Sequence, residues 1–395
     1  MPAGRSGFRP LLLSSVALDT RPALIDAARN GLDLQTYLLG DDSTGHQILR
    51  ALRDAAGRGV RLRLLIDDLA DAYVMRSDEA NFLDFDLLAV GAVAPALAAH
   101  FDAFWNSRFA VPLQALADNP LNAAQRRASF ERLSSSPPGD PPGGAQRPPL
   151  PAPTRAAMQA LGKVPLVVAD AEVLFDSPDK TGGQLPGSTL LPVAALLDQA
   201  RERVMIVAPY FLPNAAGLAR MRAAQARGVV VQVVTNSLLD SDEPLVSLAY
   251  GQRRQALLAA GVRLFEISSE RLHQAETMRR ALGSSVGRMH AKQGFIDDRL
   301  LLVGSMNLDP RSATTNTELA LAIDSSALVR MILGQFQPTD GRSAYEVRLA
   351  ADGQRLDWVA TDDQGVEHLG SEPTPPWWQV LKLWLLSRLI PDDLL

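Results

Sequence analysis

Two stretches of the chain repeat one order of apolar and polar positions. The first is ALIDAARNGLDLQTYLLGDDSTGHQILRALRDAAGRGVRLRLLIDD, from Ala23 to Asp68. The second is ALLDQARERVMIVAPYFLPNAAGLARMRAAQARGVVVQVVTNS, from Ala195 to Ser237. Each opens at helical spacing, passes through an apolar run of strand length, then a loop and a second helical stripe. Each second helix stops at an Arg-Gly pair, Arg58-Gly59 and Arg227-Gly228, where glycine is free to take positive φ. A strand opening on Gly-Val follows in both. Strand–helix–strand order implies a parallel or mixed sheet flanked by helices. Its repetition implies a pseudo-twofold duplicated α/β fold.

The stretch SSSPPGDPPGGAQRPPLPAP, from Ser134 to Pro153, separates the repeats and reads as an extended linker. Four regions follow: an N-terminal half over 1–133, a Pro/Gly-rich linker over 134–163, a C-terminal half over 164–335, and a region over 336–395. The helical pattern ALAAHFDAFWNSR closes the first half. The last region offers AYEVRLAADGQRLDWVA, a hairpin turning at Asp352-Gly353, and then a Trp-rich tail.

Composition narrows the function. With 47% hydrophobic and 21% charged residues, the 395-residue chain is globular rather than disordered. A net charge of −5 and a pI near 5.6 argue against a nucleic-acid partner. The absence of cysteine excludes disulfides, thiolate catalysis and Cys-ligated metal centres. The apolar run PLLLSSVAL, from Pro10 to Leu18, is short and lacks a small-residue cleavage site, so no signal peptide is expected. No window has the length and apolarity of a membrane span. The tail WWQVLKLWLLSRLI, from Trp377 to Ile390, suits either an interfacial helix or packing onto the domain. The chain is expected to reside in the cytoplasm or peripherally on a membrane.

The candidate chemistry lies in RMHAKQGFIDDRLLLVGSMNLDPRSATTNTELALAI, from Arg288 to Ile323. Read as strands, its polar residues fall into pairs two apart: His290 with Lys292, Ser305 with Asn307, and Asn316 with Glu318. Three adjacent strands would gather an imidazole, an ammonium, a hydroxyl, an amide and a carboxylate at one spot. Such a set suits phosphoryl chemistry without a metal or other cofactor. A neutral His can attack phosphorus or protonate a leaving oxygen. Lys and the Ser and Asn donors would stabilise charge on the non-bridging oxygens. One His among mixed donors lacks a recognisable metal-ligand spacing. The bland alternative is a half-buried strand with a solvated polar face.

HAKQGFID followed by GSMN resembles the HxKxxxxD…GSxN signature of the phospholipase D superfamily. The flanking APYFLP, TNSLLDSDEPLVSLAYGQRRQALLAAGVRLFEI, FDAFWNS and AYEVRL are similar to its bacterial cardiolipin synthase members. The resemblance implies a catalytic His290, phosphate binding by Lys292, Ser305 and Asn307, and a Glu318 that orients His290. It implies structural roles for Asp297 and Gly304. The implied reaction is phosphatidyl transfer from a phospholipid to an alcohol acceptor through a phosphohistidine, at a membrane surface. Two further readings remain open: a dimeric phosphodiesterase or nuclease, and an inactive membrane-associated scaffold.

Members of this kind carry the signature twice, one per half. Here His46, His100, His273 and His368 have no Lys two residues on. From Gly228 to Glu318 is 90 positions, whereas from Gly59 to Asp86, read as the corresponding carboxylate, is 27. The first half is therefore expected to be incomplete, and a homodimer is one way to supply a second imidazole.

Overall fold

A computed structural model of the chain describes residues 2–11, 14–37, 39, 43–66, 82–116, 121–135, 166–182, 189–274, 288–335, 337–362 and 365–373, with 378, 381, 383 and 385 of the tail. Most of the Pro/Gly-rich linker lies outside these residues. In the first half the strands are β1 (Ser6–Leu11), β2 (Gly31–Thr36), β3 (Arg61–Ile66), β4 (Phe82–Leu83) and β5 (Asp86–Gly91). The second half supplies β6 (Val167–Phe175), β7 (Arg203–Val207), β8 (Val230–Asn236), β9 (Arg263–Ile267), β10 (Arg288–Met289), β11 (Gln293–Ile296), β12 (Leu300–Gly304) and β13 (Leu319–Asp324). The C-terminal region adds β14 (Ala344–Leu349), β15 (Leu356–Asp362) and β16 (Gly365–Leu369).

Twelve of these strands form one mixed sheet in the order β16-β15-β14-β9-β8-β7-β11-β12-β13-β6-β1-β5. β7, β8 and β9 run parallel, as the strand–helix–strand pattern predicts. Buried apolar residues on both faces of these strands, among them Val231, Val233, Val234 and Phe265, pack against the flanking helices. Covering both faces is what a parallel ladder requires. The fold is the expected α/β arrangement of a mixed sheet flanked by helices.

The incomplete first half has a definite form. In the second half, β11 and β12 sit between β7 and β13. By the duplication, β2 and β3 correspond to β7 and β8, while β1 and β5 correspond to β6 and β13. Among the described residues nothing stands where the counterparts of β11 and β12 would lie. The ladder is accordingly split: β2–β3 is a separate two-stranded sheet, and β1–β5 continues the main sheet through β6. The exposure of β2 and β3 along their length follows from this gap. The remaining first-half pairing is β4 with β10, parallel, with Met289 opposite Leu83.

The C-terminal hairpin turns through Gly353, at φ 66°, and joins the sheet by β14 on β9. In the tail, Trp378, Leu381 and Leu385 are helical and about half exposed. No helix of the described residues is long and apolar enough to cross a membrane.

Candidate active site

The polar residues of the Arg288–Ile323 stretch stand at strand ends rather than within strands. β11 begins, β12 ends and β13 begins at one edge of the sheet, so their flanking residues meet there. His290 is fixed through its neighbours. The Asn236 side chain donates to the Met289 carbonyl at 2.9 Å and accepts the Met289 N–H at 3.1 Å. The His290 N–H donates to the Leu83 carbonyl at 2.9 Å, extending the β10–β4 pairing by one residue.

That pairing brings in Asp84. Its carboxylate lies 3.2 Å from His290 Nδ1. On the other side of the ring, Lys292 Nζ is 3.0 Å from Nε2 and donates to the His290 carbonyl at 2.8 Å. A carboxylate only accepts and an ammonium only donates. The tautomer that satisfies both carries its proton on Nδ1 and a lone pair on Nε2. Burial pulls the Lys292 ammonium down to about 8, against the opposing pull of Asp84, Glu318, Asp242 and Asp309. Burial would raise Asp84, but the hydrogen bond and charge of His290 outweigh it and hold this carboxyl below its ordinary value.

This corrects the roles of two carboxylates and one hydroxyl. Glu318 was expected to orient His290, yet Asp84 holds Nδ1. The Ser305 hydroxyl donates to Glu318 at 2.5 Å and accepts the Leu319 N–H at 3.1 Å. Its proton is thereby directed at Glu318 and not at a phosphate. Asp86, which the spacing count selected, is bonded to Arg21 at 2.5 Å. Asp84 and Glu318 stand just ahead of β5 and β13, the corresponding strands of the two halves, and Asp84 reaches the imidazole of the other half. Glu318 is thus the counterpart of Asp84 in the second half. Burial raises its carboxyl above the ordinary value, with Ser305 and Ser312 pulling the other way. Asn316 is exposed and its N–H is bonded to the Arg311 carbonyl, so it does not join the site.

The remaining signature residues build the frame. A Cβ on Gly304 would lie 2.1 Å from the Leu319 carbonyl oxygen, so only glycine fits where β12 passes β13. Asp297 and Asp298 turn the chain at φ 50° and 51°. Asp297 accepts the N–H groups of Arg201, Glu202 and Arg203 at 2.9, 2.8 and 3.0 Å, which ties the β11–β12 turn to the start of β7. The Asn307 N–H donates to the Ser312 hydroxyl at 3.1 Å, and its buried side-chain oxygen has no hydrogen-bond partner among the described residues.

Beneath this loop lies a pair that sequence reasoning missed. The Lys180 ammonium, 2% exposed, donates to Asp176 at 2.5 Å and to the Ser312 carbonyl at 2.8 Å. Asp176 in turn accepts the Glu318 N–H at 2.9 Å and the Thr189 N–H. One buried ion pair thus connects Glu318 to the loop that carries Asn307. The available signal was an acid four residues before one of only four lysines, in FDSPDK. Tyr210 was also missed, although it lies in the APYFLP segment. Its ring centre is 5.9 Å from Lys292 Nζ and 6.0 Å from the Arg311 guanidinium, and its hydroxyl donates to Asp242 at 2.7 Å. The ring face stabilises both cations.

Residues 193–339 match the family described as "Cardiolipin synthase, PLD-like domain". Over this segment, which carries His290, Lys292 and Asn307, the chain is similar to the phospholipase D superfamily. Along nearly its whole length it is similar to cardiolipin synthase C of Escherichia coli K12, with 28% identity covering 99% of this chain and 97% of that protein. That alignment runs over 478 positions against 395 residues, so stretches of the relative have no counterpart here. Cardiolipin synthase A of Serratia proteamaculans is 33% identical over 32% of this chain and 22% of its own. Among solved structures, the phosphatidylserine synthase of Haemophilus influenzae Rd KW20 superposes with a TM-score of 0.59 at 12% identity, covering 98% of this chain and 95% of its own. At that identity the likeness concerns the fold alone.

Proposed function

We propose that the chain transfers phosphatidyl groups between alcohols, as a cardiolipin synthase does, through a phosphohistidine on His290. The observation that carries this reading is the imidazole held between Asp84 at Nδ1 and Lys292 at Nε2. In the proposed sequence a phospholipid phosphate displaces the Lys292 ammonium from Nε2 and takes up its charge. Nε2 then attacks phosphorus, the bond to the leaving alcohol breaks, and Asp84 stabilises the resulting imidazolium. The acceptor hydroxyl attacks the phosphohistidine, gives its proton to the imidazole that protonated the first alcohol, and releases His290. Lys292 and Asn307 stabilise the charge that grows on the non-bridging oxygens.

Departure of the first alkoxide needs an acid, and His290 is occupied as nucleophile. In the duplicated arrangement that acid would stand on the strands the first half lacks. We propose that turnover is limited by this gap and depends on a second copy of the chain for the second imidazole. Membrane attachment is peripheral in this reading, with the half-exposed Trp378, Leu381 and Leu385 at the interface.

The test is phosphatidyl transfer from phosphatidylglycerol vesicles, measured against protein concentration with light scattering in parallel. Specific activity should rise with dimer fraction, His290→Ala should reduce it below a tenth, and EDTA should have no effect. Robust activity from a strict monomer would remove the second-copy requirement. An unimpaired His290→Ala would remove the function.

A further inference from the structure

The rim of the site carries an apolar patch that the chemistry above does not use. After the helix Val93–Trp105 the chain runs to Leu116 with Trp105, Phe109, Val111, Leu113 and Leu116 between 38% and 73% exposed. The short helix Leu113–Leu116 buries none of its residues. Single apolar side chains on a surface are ordinary, but five along one such segment form a patch.

Its position follows from three contacts. His100, on the same helix as Trp105, packs on Phe175 at the end of β6, with ring centres 5.1 Å apart. The Arg108 guanidinium is 3.6 Å from Asp179, the neighbour of Lys180, whose ammonium supports the loop of Asn307. Leu191, 65% exposed, follows Thr189, whose N–H is bonded to Asp176 on the same edge. The patch therefore borders the edge of the sheet where His290, Asn307 and Glu318 stand.

Charge selects the occupant. In a chain of net charge −5, residues 105–127 hold Arg108, Arg126 and Arg127 against the single acid Asp118. Arg126 and Arg127 are exposed on the helix Ala123–Ser135. Exposed apolar side chains with arginines near them along the chain match the headgroup and acyl layers of an anionic bilayer. A lipid substrate adds a reason for the placement: drawing its acyl chains into water costs free energy for every methylene exposed. A site opening onto the bilayer meets the phosphodiester at headgroup depth without that cost.

We propose that residues 105–116, with Leu191, form a lip that seats the protein on an anionic phospholipid surface with its catalytic edge facing the bilayer. The inference builds on the proposed lipid substrate, but vesicle binding tests it separately from turnover. The full chain and its Leu113→Glu/Leu116→Glu variant are sedimented with vesicles of phosphatidylglycerol and phosphatidylcholine. The variant should lose at least tenfold in its bound-to-free ratio and turn over vesicle lipid more slowly. Turnover of a short-chain phospholipid held below its micellar concentration should stay the same. Leu113→Trp/Leu116→Trp should bind vesicles more tightly, so a folding defect in the first variant leaves the lip testable. Unchanged sedimentation of both variants overturns the lip. So does an equal loss on the short-chain lipid, or a fall in oligomer size that assigns the patch to a contact between copies. Absence of turnover on either lipid would count against the proposed function and leave the sedimentation result standing.

Discussion

At the scale of single residues, His290 is defined by what touches its two nitrogens. Asp84→Asn keeps the size of the side chain but removes the charge that fixes the Nδ1 proton. It should lower kcat by roughly 10²–10⁴, the range expected when a proton-managing group is disabled. Glu318→Gln should cost much less, because Glu318 is bonded to Ser305 rather than to His290. Steady-state kinetics on both variants checks this, and the reverse ranking would restore Glu318 as the orienting group. The choice was open in the sequence because FLDFD places Asp84 and Asp86 on one face of a strand. Only the tertiary structure separates them, by giving Asp86 to Arg21 and Asp84 to His290. Lys292 supplies a second prediction. Its ammonium titrates at about 8, and only the charged form stabilises phosphate oxygens, so kcat/KM should fall as pH rises through that value. Lys292→Arg should move this alkaline fall upward, since guanidinium stays charged. A pH profile whose alkaline limb is unmoved by the substitution would assign the titration elsewhere.

At the scale of elements, the duplication and the gap were both readable. The helix–strand–helix–strand repeat with its Arg-Gly stops is local information, and the 90 against 27 spacing exposed the missing strands. The consequence was not readable: β1 and β5 leave the first half and extend the sheet through β6. Pairing between halves joins residues far apart in the chain, and no local pattern records it. The same holds for β4 on β10, which delivers Asp84. The Lys180–Asp176 pair is likewise a matter of burial, which the sequence does not state. Lys180→Met leaves Asp176 buried without its cation and should cost about 3–5 kcal/mol in denaturant unfolding. Lys180→Met/Asp176→Asn should recover part of that loss, because no buried charge is then left unpaired. A single variant as stable as the parent would show that the pair does not hold the loop.

At the scale of the whole molecule, an incomplete first half and a second half with the signature meet at one imidazole. The second half brings His290, Lys292 and the loop of Asn307; the first half brings Asp84. That division explains why the first half keeps its docking strand and Asp84 while its own signature strands are absent. The measurement that tests this account most directly is capture of the covalent intermediate. Protein incubated with phospholipid labelled at its phosphorus is quenched in base, digested, and mapped by mass spectrometry. The account predicts label on the peptide containing His290, abolished in His290→Ala and strongly reduced in Asp84→Asn. Phosphatidyl transfer that proceeds with no label on His290, or persists in His290→Ala, would contradict it.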